Sequence, residues 1–81
     1  MKNKLIKLSS LKIGEKGLID SFTDVNISLK LMEMGCMPGE EVMLDKIAPM
    51  GDPIAIKVSG YTLSLRKAEA STVLISVITI K

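Results

Sequence analysis

Two turn clusters, Met34-Gly35-Cys36-Met37-Pro38-Gly39 and Ala48-Pro49-Met50-Gly51-Asp52-Pro53, decide the fold that we expect for this chain of 81 residues. The first ends a helical pattern, because Gly35 can adopt the left-handed conformation that closes a helix and Pro38 blocks its continuation. The second separates two runs that alternate apolar and polar residues with the period of a β-strand. The clusters therefore predict one short helix followed by a β-rich second half.

The predicted helix covers Val25 to Met34, and either Thr23 or Asp24 can cap its first turn. An inner apolar stripe recurs at helical spacing and consists of Ile27, Leu31 and Met34. A second apolar stripe, on other sides of the helix, consists of Val25, Leu29 and Met32. Lys30 and Glu33 are three residues apart, which predicts a weak ion pair on the helix surface. A helix this apolar cannot bury every side chain against a small domain, so we expect part of it to stay exposed.

Five strands are predicted from alternating apolar residues, over residues 17–22, 41–48, 54–59, 61–66 and 72–80. A short capped turn around Ser9 and Ser10 precedes them, and Arg66 to Ser71 predicts a helical turn before the last strand. An open five-stranded sheet would leave two edges exposed, whereas curling into a barrel covers one face and removes edges. We therefore predict a mainly all-β fold: a small SH3-like five-stranded barrel with one inserted short α-helix, and an OB-type barrel as the alternative.

Length and composition bound the function. Residues 1–81 are expected to form a single domain, with the lysine-rich residues 1–7 flexible or loosely attached. A contact of these lysines with anionic lipid or an acidic partner is the alternative to a solvated tail. The net charge is +2, and Phe22 and Tyr61 are the only aromatic residues. Modules that stack bases on aromatic side chains are therefore disfavoured, and we expect no nucleic-acid partner.

The residue types present argue against a reactive centre. The chain has no histidine and one cysteine, which excludes an internal disulfide, a Cys/His zinc site within one chain and His-based catalytic dyads or triads. Cys36 is expected to be a small buried apolar residue, with a reactive thiol as the alternative. Glu40 and Glu41 are neighbours on a strand and point to opposite faces, so they cannot readily chelate one ion. We predict no catalytic, cofactor-binding or metal-binding residue, and leave open weak transition-metal binding between subunits.

The N-terminus lacks the apolar stretch of a signal peptide, and no apolar run approaches the ~18–20 residues that span a bilayer. We therefore expect a cytoplasmic protein without direct membrane insertion.

Four segments resemble the FeoA family in order and spacing. Leu31 to Val42 is similar to the family core L-x-x-x-G-x-x-P-G-x-x-V, and Ala48 to Pro53 is similar to its A-P-x-G-D-P loop. Leu63 to Ala70 is similar to its L-x-L-R-x-x-E-A segment, and the residues around Leu8 to Gly17 resemble its opening L-x-x-L-x-x-G-x-x-G. The resemblance implies an SH3-like barrel and a prokaryotic accessory role in ferrous iron uptake, with the membrane GTPase-permease FeoB as partner. Similar domains also occur at the C-termini of metal regulators of the diphtheria-toxin-repressor type. Because this chain has no helix-turn-helix segment, the standalone form associated with the transporter fits better.

The turn clusters and the helix also supply the candidate contact surface. Flexible methionines and exposed apolar side chains suit adaptable recognition. Arg66 and Glu69 are three residues apart, which predicts a surface ion pair or a bond from Arg66 to a backbone carbonyl. The candidate partner-binding residues are Leu29, Met32, Met37, Met50, Asp52 and Arg66. A non-enzymatic module that docks on the permease is the first hypothesis, and a metal-sensing regulatory domain that binds ferrous or other transition-metal ions is the alternative; self-association is also open.

Overall fold

A computed structural model describes residues 4–78, which fold into one six-stranded sheet and two short α-helices. The strands are β1 (Leu5–Lys7), β2 (Lys16–Phe22), β3 (Glu41–Ile47), β4 (Ile54–Val58), β5 (Tyr61–Leu65) and β6 (Val73–Val77). The helices are α1 (Val25–Glu33) and α2 (Lys67–Ala70), and a 3-10 turn covers Leu8–Ser10. The predicted helix, the helical turn and the five predicted strands are all present, with bounds shifted by one or a few residues; Ile80, at the end of the last predicted strand, lies outside the described residues.

All neighbouring strands are antiparallel, in the order β1-β6-β2-β3-β4-β5. The register shifts between Ile19 and Ser21 in β2 and between Leu44 and Lys46 in β3. Such bulges bend a strand and increase its twist, so the sheet can curl around one core. Within residues 4–78 no ladder joins β1 to β5, so the predicted SH3-like barrel takes the form of a curled, open sheet with six strands instead of the predicted five.

The extra strand is β1, which the sequence analysis assigned to a loosely attached N-terminal segment. Leu5 pairs with Ser76 and Lys7 pairs with Leu74, while the side chain of Ile6 packs against the core. The prediction of a loose tail is therefore wrong for Leu5–Lys7, and its first three residues lie outside the described part. Three residues carry too little alternation to predict a strand, and the partner β6 is at the other end of the chain.

The core is aliphatic, as the composition predicts. Alternate residues of β3, β4 and β6 face the core and are buried, with Val77 only partly so. In β2 the structure buries Ile19 and leaves Leu18 exposed. On α1 the inner stripe is confirmed, because Leu31 is fully buried and Ile27 and Met34 pack against the core. The fully buried core residues with large side chains include Leu8, Leu31, Leu44, Ile56, Leu65 and Ile75.

Local chemistry fixes both ends of α1. The Asp24 carboxylate accepts a hydrogen bond from the backbone N–H of Ile27 at 3.0 Å, so Asp24 is the N-cap. At the other end Gly35 has φ +98°, and the backbone N–H of Cys36 donates to the carbonyl of Leu31 at 2.9 Å. The outer side chains of α1 are thereby held in a defined orientation.

Candidate docking surface

The outward side of α1 carries an uncovered apolar stripe, Val25, Leu29 and Met32, as the sequence predicts. Val25 is 76% exposed and Leu29 is 57% exposed, while Met32 is half-buried. Val25 and Leu29 are four residues apart and therefore lie one above the other on the same helix side. Large aliphatic side chains grouped in this way are typical of interaction surfaces rather than of a surface that faces only water.

The turn between β3 and β4 presents Met50 to solvent. The backbone N–H of Ala48 donates to the carbonyl of Pro53 at 3.0 Å, and the N–H of Gly51 donates to the carbonyl of Ala48 at 2.7 Å. These bonds define a β-turn with Pro49 at its first central position, where the fixed φ of proline is favourable. Met50 follows it and is 92% exposed. The turn therefore holds an apolar side chain away from the core.

A polar hollow of about 570 Å³ lies where α1, the β3–β4 turn and the junction of β5 with α2 meet. Its lining residues are Lys30, Asp52, Pro53, Ser64, Leu65, Arg66 and Glu69. The carboxylate of Asp52 accepts a hydrogen bond from the backbone N–H of Lys67 at 2.9 Å, which ties the turn to the start of α2. This contact joins segments that are 15 positions apart in the chain.

Glu69 connects the two helices at this hollow. Its carboxylate lies 2.7 Å from Nζ of Lys30 on α1, and its other oxygen accepts from the backbone N–H of Arg66 at 3.1 Å. The hydrogen bond from Lys30, followed by that from the Arg66 backbone, lowers the pKa of the Glu69 carboxyl below its ordinary value. The predicted Lys30–Glu33 ion pair is wrong, because Lys30 pairs across to α2 instead. Glu69 contacts Arg66 through the backbone N–H of Arg66. The sequence instead predicted an ion pair between the two side chains or a bond from the Arg66 side chain to a backbone carbonyl.

Nothing at the hollow resembles a catalytic constellation. Within residues 4–78 no group of three His, Cys, Asp or Glu side chains could hold a metal ion. Cys36 is 1% exposed, and burial, together with the Glu40 carboxylate, raises the pKa of its thiol. The described part of the chain also has no helix long and apolar enough to cross a membrane. The arrangement offers apolar contact area and a few oriented charges, which suit binding.

The structure brings some of the candidate partner-binding residues together. Asp52 and Arg66 share the polar hollow, Leu29 and Met32 lie on α1, and Met50 is in the same turn as Asp52. Met37 is 48% exposed and lies between α1 and β3, outside the lining of the hollow. Lys30 and Glu69 are not among the candidate residues predicted from the sequence. Their contact spans 39 positions along the chain, so no local pattern could have indicated it.

Comparison with known proteins identifies the family. Residues 6–77 match the FeoA domain. A fusion of Fe(2+) transport protein A with the Fe(2+) transporter FeoB from Porphyromonas gingivalis is 27% identical over 74 residues, which are 90% of this chain and 9% of the fusion protein. The chain thus spans less than a tenth of that curated relative.

Solved structures share the fold along nearly the whole chain. The FeoA-like protein from Clostridium acetobutylicum is 36% identical and superposes with a TM-score of 0.89, covering 100% of this chain and 94% of its own. FeoA from Stenotrophomonas maltophilia, solved with zinc and described as a prokaryotic SH3 domain protein, is 29% identical with a TM-score of 0.76, covering 86% and 88%. The SH3-like, mainly β fold is confirmed, and the chain belongs to the FeoA family, which is linked to ferrous iron transport.

Proposed function

We propose that this chain is a non-enzymatic, cytoplasmic accessory protein of ferrous iron uptake that docks on the GTPase part of a FeoB-type permease and modulates transport. The observation that carries the proposal is the exposed apolar stripe of α1, the helix whose Lys30 also lines the polar hollow. The relative from P. gingivalis combines the two components in one polypeptide, which supports an association between them.

The chemistry of the surface fits a protein partner. Leu29 and Val25 provide aliphatic area that a partner can cover, and interface centres are typically apolar with a polar rim. Arg66 and Asp52 at the neighbouring hollow supply the oriented polar groups of such a rim. Arginine is enriched among the residues that contribute most to binding. Binding energy is therefore expected to concentrate on Leu29 and Arg66.

A binding measurement with the isolated FeoB GTPase domain tests the proposal. Leu29→Glu places a charge on the exposed stripe, so we expect Kd to rise at least about tenfold, a loss of about 1.4 kcal/mol. Ile13→Glu is the matched control, because Ile13 is a comparably exposed aliphatic residue (64%) outside α1. Circular dichroism of both variants establishes that the fold is retained. The proposal fails if the wild-type chain does not bind, or if both variants bind like the wild type.

The metal-sensing alternative has one observation in its favour, the zinc in the structure of the S. maltophilia relative. Ferrous iron prefers converging histidines and carboxylates, and the described residues contain no group of three such ligands. Anaerobic calorimetric titration of the chain with ferrous iron separates the two functions. Micromolar, stoichiometric binding by the monomer would favour the sensor over the docking module.

A further inference from the structure

The sulfur atoms of this chain differ widely in their access to solvent. Met50 is 92% exposed and Met37 is 48% exposed, whereas the thiol of Cys36 is buried. The remaining methionines of the described part are partly buried: Met32, Met34 and Met43. Oxidation of sulfur requires contact with the oxidant, so its rate follows exposure when the fold is intact. Among the sulfur atoms of residues 4–78, Met50 is therefore the one that a small oxidant reaches first.

The turn that carries Met50 does not depend on that side chain. Two backbone hydrogen bonds within residues 48–53 close the turn, and the contact of Asp52 with the backbone N–H of Lys67 anchors it to α2. A side chain that is 92% exposed contributes little packing to the folded state. A polar group can consequently be introduced at Met50 without unfolding the chain, unlike at Met34, which packs against the core.

We propose that Met50 is a site of reversible sulfur oxidation that lowers the affinity of the chain for its partner. Hydrogen peroxide transfers one oxygen atom to the thioether: the peroxide O–O bond breaks, an S=O bond forms, and the sulfur loses two electrons. The peroxide is reduced to one molecule of water, so atoms and electrons balance. Methionine sulfoxide reductases reverse the change, which makes the modification suitable for regulation.

The effect on affinity rests on the proposed docking function. Oxidation converts the flexible apolar side chain of Met50 into a polar, chiral one. Met50 lies in the same turn as Asp52, which lines the polar hollow beside α1. A polar sulfoxide must be desolvated when a partner covers this turn, and burial without a matching hydrogen bond is unfavourable. Oxidation at this one position would therefore weaken docking while leaving the α1 stripe unchanged.

The site of oxidation is tested on the full chain with dilute hydrogen peroxide and peptide mass spectrometry over time. We expect Met50 sulfoxide to form at least about twice as fast as that of Met37, in line with their exposures, and well before oxidation of Cys36. Met50→Leu should abolish the fastest oxidation while leaving the other sites at their original rates. Equal rates at Met50 and Met43, or earlier oxidation of Cys36, would overturn the assignment.

The effect on docking is tested with the same FeoB GTPase domain. We expect selective oxidation to raise Kd several-fold and Met50→Gln to reproduce the loss without oxidant. Whatever the starting affinity of Met50→Leu, peroxide should change its Kd much less than that of the wild type. Sulfoxide reductase treatment should restore binding of the oxidised chain. Unchanged affinity after oxidation refutes the regulatory part alone, whereas failure of the untreated chain to bind refutes the docking function and leaves the mass-spectrometric result to stand by itself.

Discussion

Gly35 meets two requirements at once at the end of α1. Its φ of +98° lies in the region that L-residues with a side chain rarely occupy. In addition, the Tyr61 hydroxyl donates a hydrogen bond to the carbonyl of Met34, and a Cβ added at Gly35 would meet that hydroxyl. One of only two aromatic residues in the chain thus joins β5 to the end of the helix that carries the exposed apolar stripe.

Gly35→Ala is expected to destabilise the fold more than Gly39→Ala. Both positions have φ above +90°, so both variants lose about 1–2 kcal/mol to backbone strain. Only at Gly35 does the new methyl group also meet a neighbouring atom, since the space around Gly39 is open. Urea denaturation of the two variants measures the difference. Equal losses in the free energy of unfolding would mean that the Tyr61 contact imposes no constraint at Gly35. If the contact does matter, adding Tyr61→Phe to Gly35→Ala should recover part of the extra loss.

Cys36 should be inert in the folded chain. Burial, and to a smaller extent the Glu40 carboxylate, raises the pKa of its thiol, so little thiolate forms at pH 8. We expect a thiol reagent such as dithionitrobenzoate to react at least about tenfold more slowly with the native chain than with the chain in urea. Rapid labelling of the native chain would contradict the buried position.

At the scale of the elements, α1 and α2 are connected by the Lys30–Glu69 ion pair. The Glu69 side chain is 17% exposed and the Lys30 side chain is 60% exposed, so water screens the pair from one side. Such a pair contributes modestly to stability. Its larger role is to set the orientation of Lys30 at the polar hollow.

Removal of the Glu69 charge should reveal a pH-dependent contribution to stability. The folded-state pKa of Glu69 lies below the unfolded-state value of about 4.3, so its stabilisation is complete above that pH and is lost as the pH falls through the folded-state pKa. We expect Glu69→Gln to lower the free energy of unfolding by up to about 1 kcal/mol at pH 7 and by progressively less in acid.

The difference is measured by thermal denaturation of the wild type and the variant between about pH 2 and pH 7, the range in which carboxyl groups titrate. Glu33→Gln, at an exposed position of α1, controls for the loss of one negative charge. A stability difference that grows in acid would contradict the sign of the pKa shift.

Across the whole molecule, the sheet closes its core by pairing residues from opposite ends of the chain. β1 adds to β6, and β6 in turn pairs with β2. The two bulges bend the sheet so that the inner faces of β3, β4 and β6 meet α1. Leu5–Lys7 are therefore part of the fold and not an appendage.

Substitutions in β1 measure how firmly it is attached. Ile6 packs against the core, whereas its neighbour Leu5 is 41% exposed. We expect Ile6→Ser to lower the free energy of unfolding by about 1–2 kcal/mol through lost apolar burial, and Leu5→Ser to change it by less than about 0.5 kcal/mol. Chemical denaturation of the two variants provides the values. If both variants change the free energy of unfolding by less than about 0.5 kcal/mol, β1 is only loosely attached to the sheet.

Local sequence patterns predicted the features that depend on residues close together in the chain. The stop at Gly35 and the apolar stripes of α1 follow from spacing alone, and both are present. The sequence left the N-cap open between Thr23 and Asp24, and the structure assigns it to Asp24. Pairings between distant segments left no such signal: neither β1 nor the Lys30–Glu69 ion pair could be read from the sequence. For the same reason, the candidate surface residues were predicted singly, while the hollow that joins Asp52 to Arg66 required the three-dimensional fold.

The pairing of β1 with β6 has a consequence for how this domain can be tethered. Leu5 and Ser76 are opposite one another in adjacent strands, where Cα atoms are only about 5 Å apart. A polypeptide joined before β1 or after β6 would thus leave the sheet from nearly the same point. A domain fused through its N-terminus and one fused through its C-terminus would therefore be attached at the same edge of the sheet and would expose the same surfaces.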